Sequence, residues 1–181
     1  MTGSLRGCQG DEVSTRRLIV MRHAKAESHA ISDHDRVLTG RGTRDAERVG
    51  QYLADIDVVP DHALVSTAVR AVGTWQAVAR GAGSSAQPIL EESVYPGGPG
   101  EVLEAVRSVP AEARVLIVIG HNPAMAALVQ MLDDGEGDLA VLNELARGYP
   151  TSAVTVFDVE PRWADLAEGC GRVTHFHGPR K

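Results

Sequence analysis

Two arginines and two histidines stand at or just beyond the ends of apolar runs in this sequence. LIVMRHAK (18–25) drives an apolar run into Arg22 and His23. HALVS (62–66) ends at Ser66, and Arg70 follows in STAVR, about one helical turn later. RVLIVIG (114–120) runs straight into His121, Asn122 and Pro123. Each piece alone has an ordinary reading. An arginine after a strand is usually a solvated charge, and a lone histidine beside an apolar run is usually a satisfied structural residue. The recurrence at three separate run ends is what points to an anion held beyond their tips.

A phosphoryl group suits these side chains. Guanidinium forks bind phosphate oxygens bidentately, and two of them offset most of a dianion's charge. A helix starting after Asn122, with Asn122 as its cap and Pro123 in its first turn, would add backbone N–H groups and a positive dipole end. A neutral imidazole among cations can attack phosphorus, because neighbouring positive charge lowers its pKa. A second imidazole, protonated, would stabilise oxygens as charge develops on them. This chemistry needs neither a metal nor another cofactor.

The elements that must position these groups alternate in type. Residues 17–22 read as a strand buried on both faces, followed by a loop to about Leu38. Thr39 caps a helix carrying Ala46, Val49, Leu53 and Ile56 at helical spacing. Strand 62–66 leads to a helix with Ala68, Val72, Trp75 and Ala79, closed by Gly81 and Gly83. A weaker strand at 87–91 precedes a Gly/Pro loop, PGGPG (96–100), and a helix with Val102, Leu103, Val106 and Val109. Strand 114–120, a helix through Leu132, a short helix at 139–147 and strands at 152–159 and 172–177 complete the pattern. Such alternation predicts a three-layer α/β/α sandwich with a mainly parallel central sheet. In open sheets of this kind, ligands bind beyond the carboxyl ends of the strands, where the arginines and histidines fall.

The whole chain sets outer limits. Its 181 residues suit one domain over 16–181, preceded by a polar, mobile tail over 1–15. An apolar fraction of 43% with 23% charged residues is ordinary globular composition. A net charge of -6 disfavours a nucleic-acid or anionic-membrane partner. No run is long enough to span a bilayer, and the first residues lack a secretory signal, so the cytoplasm is the expected location. Two cysteines, Cys8 and Cys170, support neither a disulfide framework nor a thiolate zinc site.

Taken together, LIVMRHA, DRVLTGRG (35–42), STAVR and GHNP resemble the histidine phosphatase superfamily, which includes the phosphoglycerate mutases. The short RHAK form looks most like the SixA-type phosphohistidine phosphatases, with Ala24 where the superfamily signature has glycine. The resemblance covers roughly residues 17–160 and implies a phosphoglycerate mutase-like fold. It implies that His23 is a nucleophile that becomes phosphorylated, with Arg22, Arg70 and His121 completing the phosphate pocket. The superfamily's general acid usually follows the third strand, which matches Glu92, with Glu91 as the near alternative. Both glutamates read equally well as solvated charges before a loop.

Other residues read more simply. His29 and His34 lack the partners of a metal site. Lys25 and Arg36 frame the pocket rim or are surface charges. Trp75 belongs to the core, and His175 and His177 to a terminal strand. The expected activity is a metal-independent phosphatase acting through a covalent phosphohistidine. Only Ser93–Gly100 separates the third strand from the next helix, so the lid is short and the pocket open. That suits a phosphorylated protein side chain, phosphohistidine above all, with a small phosphorylated metabolite as the competing substrate. A mutase is disfavoured, since keeping the intermediate from water calls for a covered site. A phosphate-binding module without turnover is the reading from another class. The presence of His23 alongside both arginines and His121 counts against it.

Overall fold

Four apolar residues in a row leave β1 (Arg16–Arg22) no polar face to turn to solvent, and Leu18 to Met21 are fully buried. The computed structural model describes residues 15–160 and 162–179; the expected tail and Cys8 lie outside them, apart from Thr15. Five further strands follow: β2 (His62–Ser66), β3 (Pro88–Glu91), β4 (Val115–Gly120), β5 (Val154–Val159) and β6 (Gly171–His177). They form one mixed sheet in the order β3-β2-β4-β1-β5-β6. The first four strands are mutually parallel, whereas β5 runs antiparallel to both β1 and β6.

Alternate residues of β1 and β4 feed two cores. Leu18, Val20, Leu116 and Val118 pack on one face with α3 (Pro99–Arg107) and α4 (Ala124–Leu132). Ile19, Met21, Ile117 and Ile119 pack on the other with α1 (Gly40–Asp55) and α2 (Val69–Ala82). Burying each of the larger side chains stabilises by about 1.5–3 kcal/mol. The result is the expected α/β/α layering. A short helix, α5 (Leu139–Leu145), lies near β6.

The helix that carries Arg70 is held unusually close to its neighbour. A Cβ on Gly50 would run into the carbonyl of Val78, and one on Gly81 into that of Glu47, so α1 and α2 touch backbone to backbone. Thr39 caps α1 as expected, its Oγ1 accepting from Gly42 N at 2.9 Å.

One feature differs from the expectation, and another goes beyond it. Asn122 does not cap α4: that helix begins at Ala124, with Pro123 before it and a cis Asn122–Pro123 bond. The Asn122 amide instead donates to Tyr149 O at 2.8 Å, which draws it away from the helix end. The return from β5 to β6 is also too short for a crossover helix. It holds only a single turn at Trp163–Asp165, so the two strands pair antiparallel. Trp163 is buried there, and its indole N–H donates to Ala113 O at 2.9 Å.

No described helix is long and apolar enough to cross a membrane.

Candidate active site

Strand register brings the proposed phosphate ligands level. Arg22 pairs with Gly120, and Val65 with Ile119, so the ends of β1, β2 and β4 stand side by side. The His23 amide donates to Gly120 O at 2.9 Å, extending the pairing by one residue. His23 and His121 therefore emerge together, their ring centroids 5.0 Å apart and tilted by 54°. Both are largely buried, at 8% and 9% exposure.

Local contacts orient each ring. His23 Nδ1 lies 2.8 Å from the carbonyl of Ala24, an acceptor, so Nδ1 carries the proton and Nε2 keeps its lone pair. The Ala24 amide donates to Thr74 Oγ1 at 3.0 Å, and that hydroxyl donates to Arg70 O at 2.6 Å. Thr74 thus ties the loop carrying His23 to the first turn of α2. From that turn the Arg70 guanidinium, 4% exposed, directs Nε–H to His23 Nε2 at 3.3 Å. His121 Nε2 lies 2.8 Å from Ser66 Oγ at the end of β2.

Arg22 reaches the other side of the cluster. Its Nη1 donates to Tyr149 O at 3.1 Å, the same carbonyl that holds Asn122. Tyr149 is itself anchored, its hydroxyl donating to Val20 O at 2.6 Å and accepting from Thr155 Oγ1 at 3.1 Å. Among the described residues, Arg16 Nε at the start of β1 and, at this site, Arg22 Nε, His121 Nδ1 and Asn122 Oδ1 are buried without a hydrogen-bond partner. Buried polar atoms left unpaired are costly, and three around one spot suit a polar ligand.

Electrostatics follow from burial and charge. Burial chiefly, with added repulsion from Arg70, Arg22 and Arg36, lowers the pKa of His23 to about 4 against the bond to Ala24 O. Burial, His23 and Arg70 lower that of His121 to about 3. Both rings are neutral at pH 7. This suits a nucleophile, but it differs from the protonated second imidazole expected at this position. Desolvation and the neighbouring guanidinium charges act in the same direction on both rings.

The glutamates fall elsewhere. Glu91 ends β3, and its Oε1 accepts from Ser93 N at 3.0 Å, which holds its carboxyl below the usual range. Glu92 is exposed on the turn Glu92–Val94, and its side chain makes no hydrogen bond or ion pair among the described residues. Neither is drawn into the network around His23. Trp75 is core, as expected, and His177 stacks on Tyr52 at the end of β6.

Sequence reasoning missed Asp33, Thr74, Tyr95 and Tyr149. Asp33 binds Arg70 and Arg36, and Tyr95 sets its ring edge-on to His121 at 5.3 Å. Asp33 lies just before DRVLTGRG, but nothing in its spacing signals a partner on α2. Tyr149 follows α5 and carries no motif.

The chain is similar to known proteins in sequence and fold. The pattern of the histidine phosphatase superfamily (branch 1) matches residues 18–94. The proposed phosphohistidine phosphatase SixA of Nakamurella multipartitia is 34% identical, with a TM-score of 0.81 over 91% of this chain and 96% of that one. The chain belongs to the histidine phosphatase superfamily. An uncharacterized protein of Mycobacterium tuberculosis is 39% identical over 163 residues, covering 88% of this chain and 100% of the relative. A protein histidine phosphatase SixA solved with tungstate has the same fold, with 24% identity, a TM-score of 0.72 and coverage of 88% and 95%. This superfamily member is SixA-like in fold, and its membership and neighbours support a phosphatase.

Proposed function

We propose that the protein is a metal-independent phosphatase of the cytoplasm that works through a phosphorylated His23, with phosphohistidine in a protein as its substrate. The observation that carries this is the orientation of His23. Nδ1–H is held by Ala24 O, leaving the Nε2 lone pair beside the Arg70 Nε–H. Nε2 attacks phosphorus while the bond to the leaving group breaks and its electron pair departs with that group. Arg22 and Arg70 hold the phosphoryl oxygens as charge gathers on them. The bound anion raises the pKa of His121, which lets that ring donate. Water then attacks the phosphorus of phospho-His23, breaks the P–N bond and releases inorganic phosphate, restoring the imidazole.

The leaving group favours phosphohistidine over an alkyl ester. A protonated substrate imidazole departs as a neutral ring, whereas an alkoxide needs a proton from an acid. Glu92 is exposed and Glu91 is committed to the Ser93 amide, so neither glutamate stands ready as that acid. Residues 92–98, between β3 and α3, form a short connection, which favours a protein-borne substrate.

Rapid quenching with a radiolabelled phosphohistidine protein tests the reading. An acid-labile, base-stable label on the enzyme is expected, absent in His23→Ala and unaffected by EDTA. Turnover lost on chelation and restored by a divalent metal would overturn the mechanism. Faster cleavage of small phosphometabolites, measured as kcat/KM, would move the substrate to that class. Binding without turnover of either would leave a phosphate-binding module.

A further inference from the structure

An exposed carboxylate outside the phosphate cluster grips one of its arginines. Asp33 lies in the loop between β1 and α1, with 59% of its side chain exposed. Its Oδ1 accepts from Arg36 Nε at 2.9 Å and lies 2.7 Å from Arg36 Nη2. Its Oδ2 accepts from Arg70 Nη2 and from the Tyr95 hydroxyl, each at 2.9 Å. Its backbone carbonyl accepts from Arg70 Nη1 at 2.6 Å. A carboxylate has about four lone-pair sites, and all are spoken for, so Asp33 has no capacity left for acid–base work.

The geometry on the Arg70 side is directional. A guanidinium is a rigid plane with five N–H donors. Asp33 takes one from each terminal nitrogen, at the far end of the fork. The Nε–H is left pointing at His23 Nε2, the atom proposed to carry phosphorus. A phosphoryl group at that nitrogen would meet Nε–H and the remaining hydrogen of the adjacent terminal nitrogen.

We infer that Asp33 is a positioning residue: it grips the far end of the Arg70 guanidinium so that its side edge faces the phosphoryl group on His23. This rests on the phosphatase reading above for its catalytic meaning. Tyr95 joins the same grip. Its ring stands edge-on to His121, with His34 edge-on to it at 5.1 Å and the Arg70 guanidinium 5.7 Å from its centroid. One carboxylate thereby sets the arginine and the aromatic wall beside the second histidine. Exposed ion pairs are usually weak because two long side chains must be ordered. Here Asp33 is short and the Arg70 side chain is 5% exposed, so little freedom remains to be lost.

A double-mutant cycle on oxyanion binding separates positioning from simple support. Tungstate affinity is measured calorimetrically for the native protein, Asp33→Ala, Asp33→Asn, Arg70→Ala and the Asp33→Ala/Arg70→Ala pair. Losing a charge-assisted bond network predicts about tenfold weaker binding in Asp33→Ala. The same change should move affinity by less than about twofold when Arg70 is absent, because nothing remains to be oriented. Asp33→Asn keeps an acceptor for Nη2 and should fall between native and Asp33→Ala. Equal loss in both backgrounds, or unchanged binding, would overturn the inference. So would tighter binding in Asp33→Ala, which would make Asp33 a competitor of the substrate. A native protein that ignores tungstate would sink the phosphate-pocket reading, but not this one. The Arg70 Nε–H resonance then decides: it should exchange faster in Asp33→Ala and stay protected in Asp33→Asn. Unchanged protection in Asp33→Ala would overturn the inference whether or not the protein turns anything over.

Discussion

His23 and Asp33 bind the same arginine, yet one is 8% exposed and the other shows more than half of its side chain to solvent. His23 stands on the sheet, one residue past β1, and its position follows from strand register and a backbone carbonyl. Asp33 stands in the connection between β1 and α1, held by side chains from its own loop, from α2 and from the turn after β3. In the proposed mechanism the strand ends supply the reacting groups, in a buried setting. The loops, on the inference above, supply the aim of those groups. Changes at the strand ends should therefore remove chemistry, whereas changes in the loops should attenuate it.

The largest effect is expected at His23. If His23 is the nucleophile proposed above, its removal should lower kcat by about 10⁴-fold or more. If His23→Ala turned over phosphohistidine at the native rate, the strand-end cluster would not be the reacting centre. Arg70 comes next. Loss of its fork in Arg70→Ala should cost about 10²–10³-fold in kcat/KM, as for other preorganised donors to transition-state oxygens. Arg70→Lys keeps the charge without the fork, so its melting temperature should fall far less than the activity of Arg70→Ala. Near-native turnover with equal thermal loss in both variants would make Arg70 a structural residue.

How much of this the sequence disclosed follows the same division. β1 and β4 are legible because their apolar runs are buried on both faces, and α1 because Thr39 and its apolar spacing act within a few residues. The meeting of Arg22, Arg70 and His121 with His23 is legible because all sit at or near parallel strand ends. Asp33 is not, since its partners Arg70 and Tyr95 are 37 and 62 residues away in sequence. Tyr149 is further still, 127 residues from the arginine it holds. Local rules cannot see such pairs, because loop paths decide them. Asn122 shows the complementary error: its type and place suit a helix cap, but a distant carbonyl takes its amide. The neutral His121 is of the same origin, since the burial that lowers its pKa exists only once the chain has folded.

Burial of the two histidines also makes stability depend on pH. An unfolded histidine takes a proton near pH 6.5, whereas folded His23 resists until about pH 4 and His121 until about 3. Across that window the unfolded state binds more protons, so stability rises with pH. It should be complete above about pH 6.5 and decline as acid is added toward pH 4. His23→Gln should flatten the slope of melting temperature against pH over this interval. An unchanged slope would show that His23 titrates normally, and hence that the strand-end site is wetter than the loops around it.

The smallest effect is expected at Glu92, where the two regions meet. A working general acid contributes on the order of 10²–10⁴-fold to cleavage of an alkyl phosphoester, whose leaving group cannot depart unprotonated. Phosphohistidine asks for little such help. The Glu92 side chain is exposed and unbonded among the described residues, unlike the ionised Glu91, which is tied to Ser93. Glu92→Gln should thus leave both substrates within about twofold of native rates, as for a surface substitution with no partner. If it slowed the alkyl ester strongly and phosphohistidine little, Glu92 would swing into the site when substrate binds. The loop after β3 would then carry chemistry as well as aim, and the contrast between strand ends and loops would fail at that one residue.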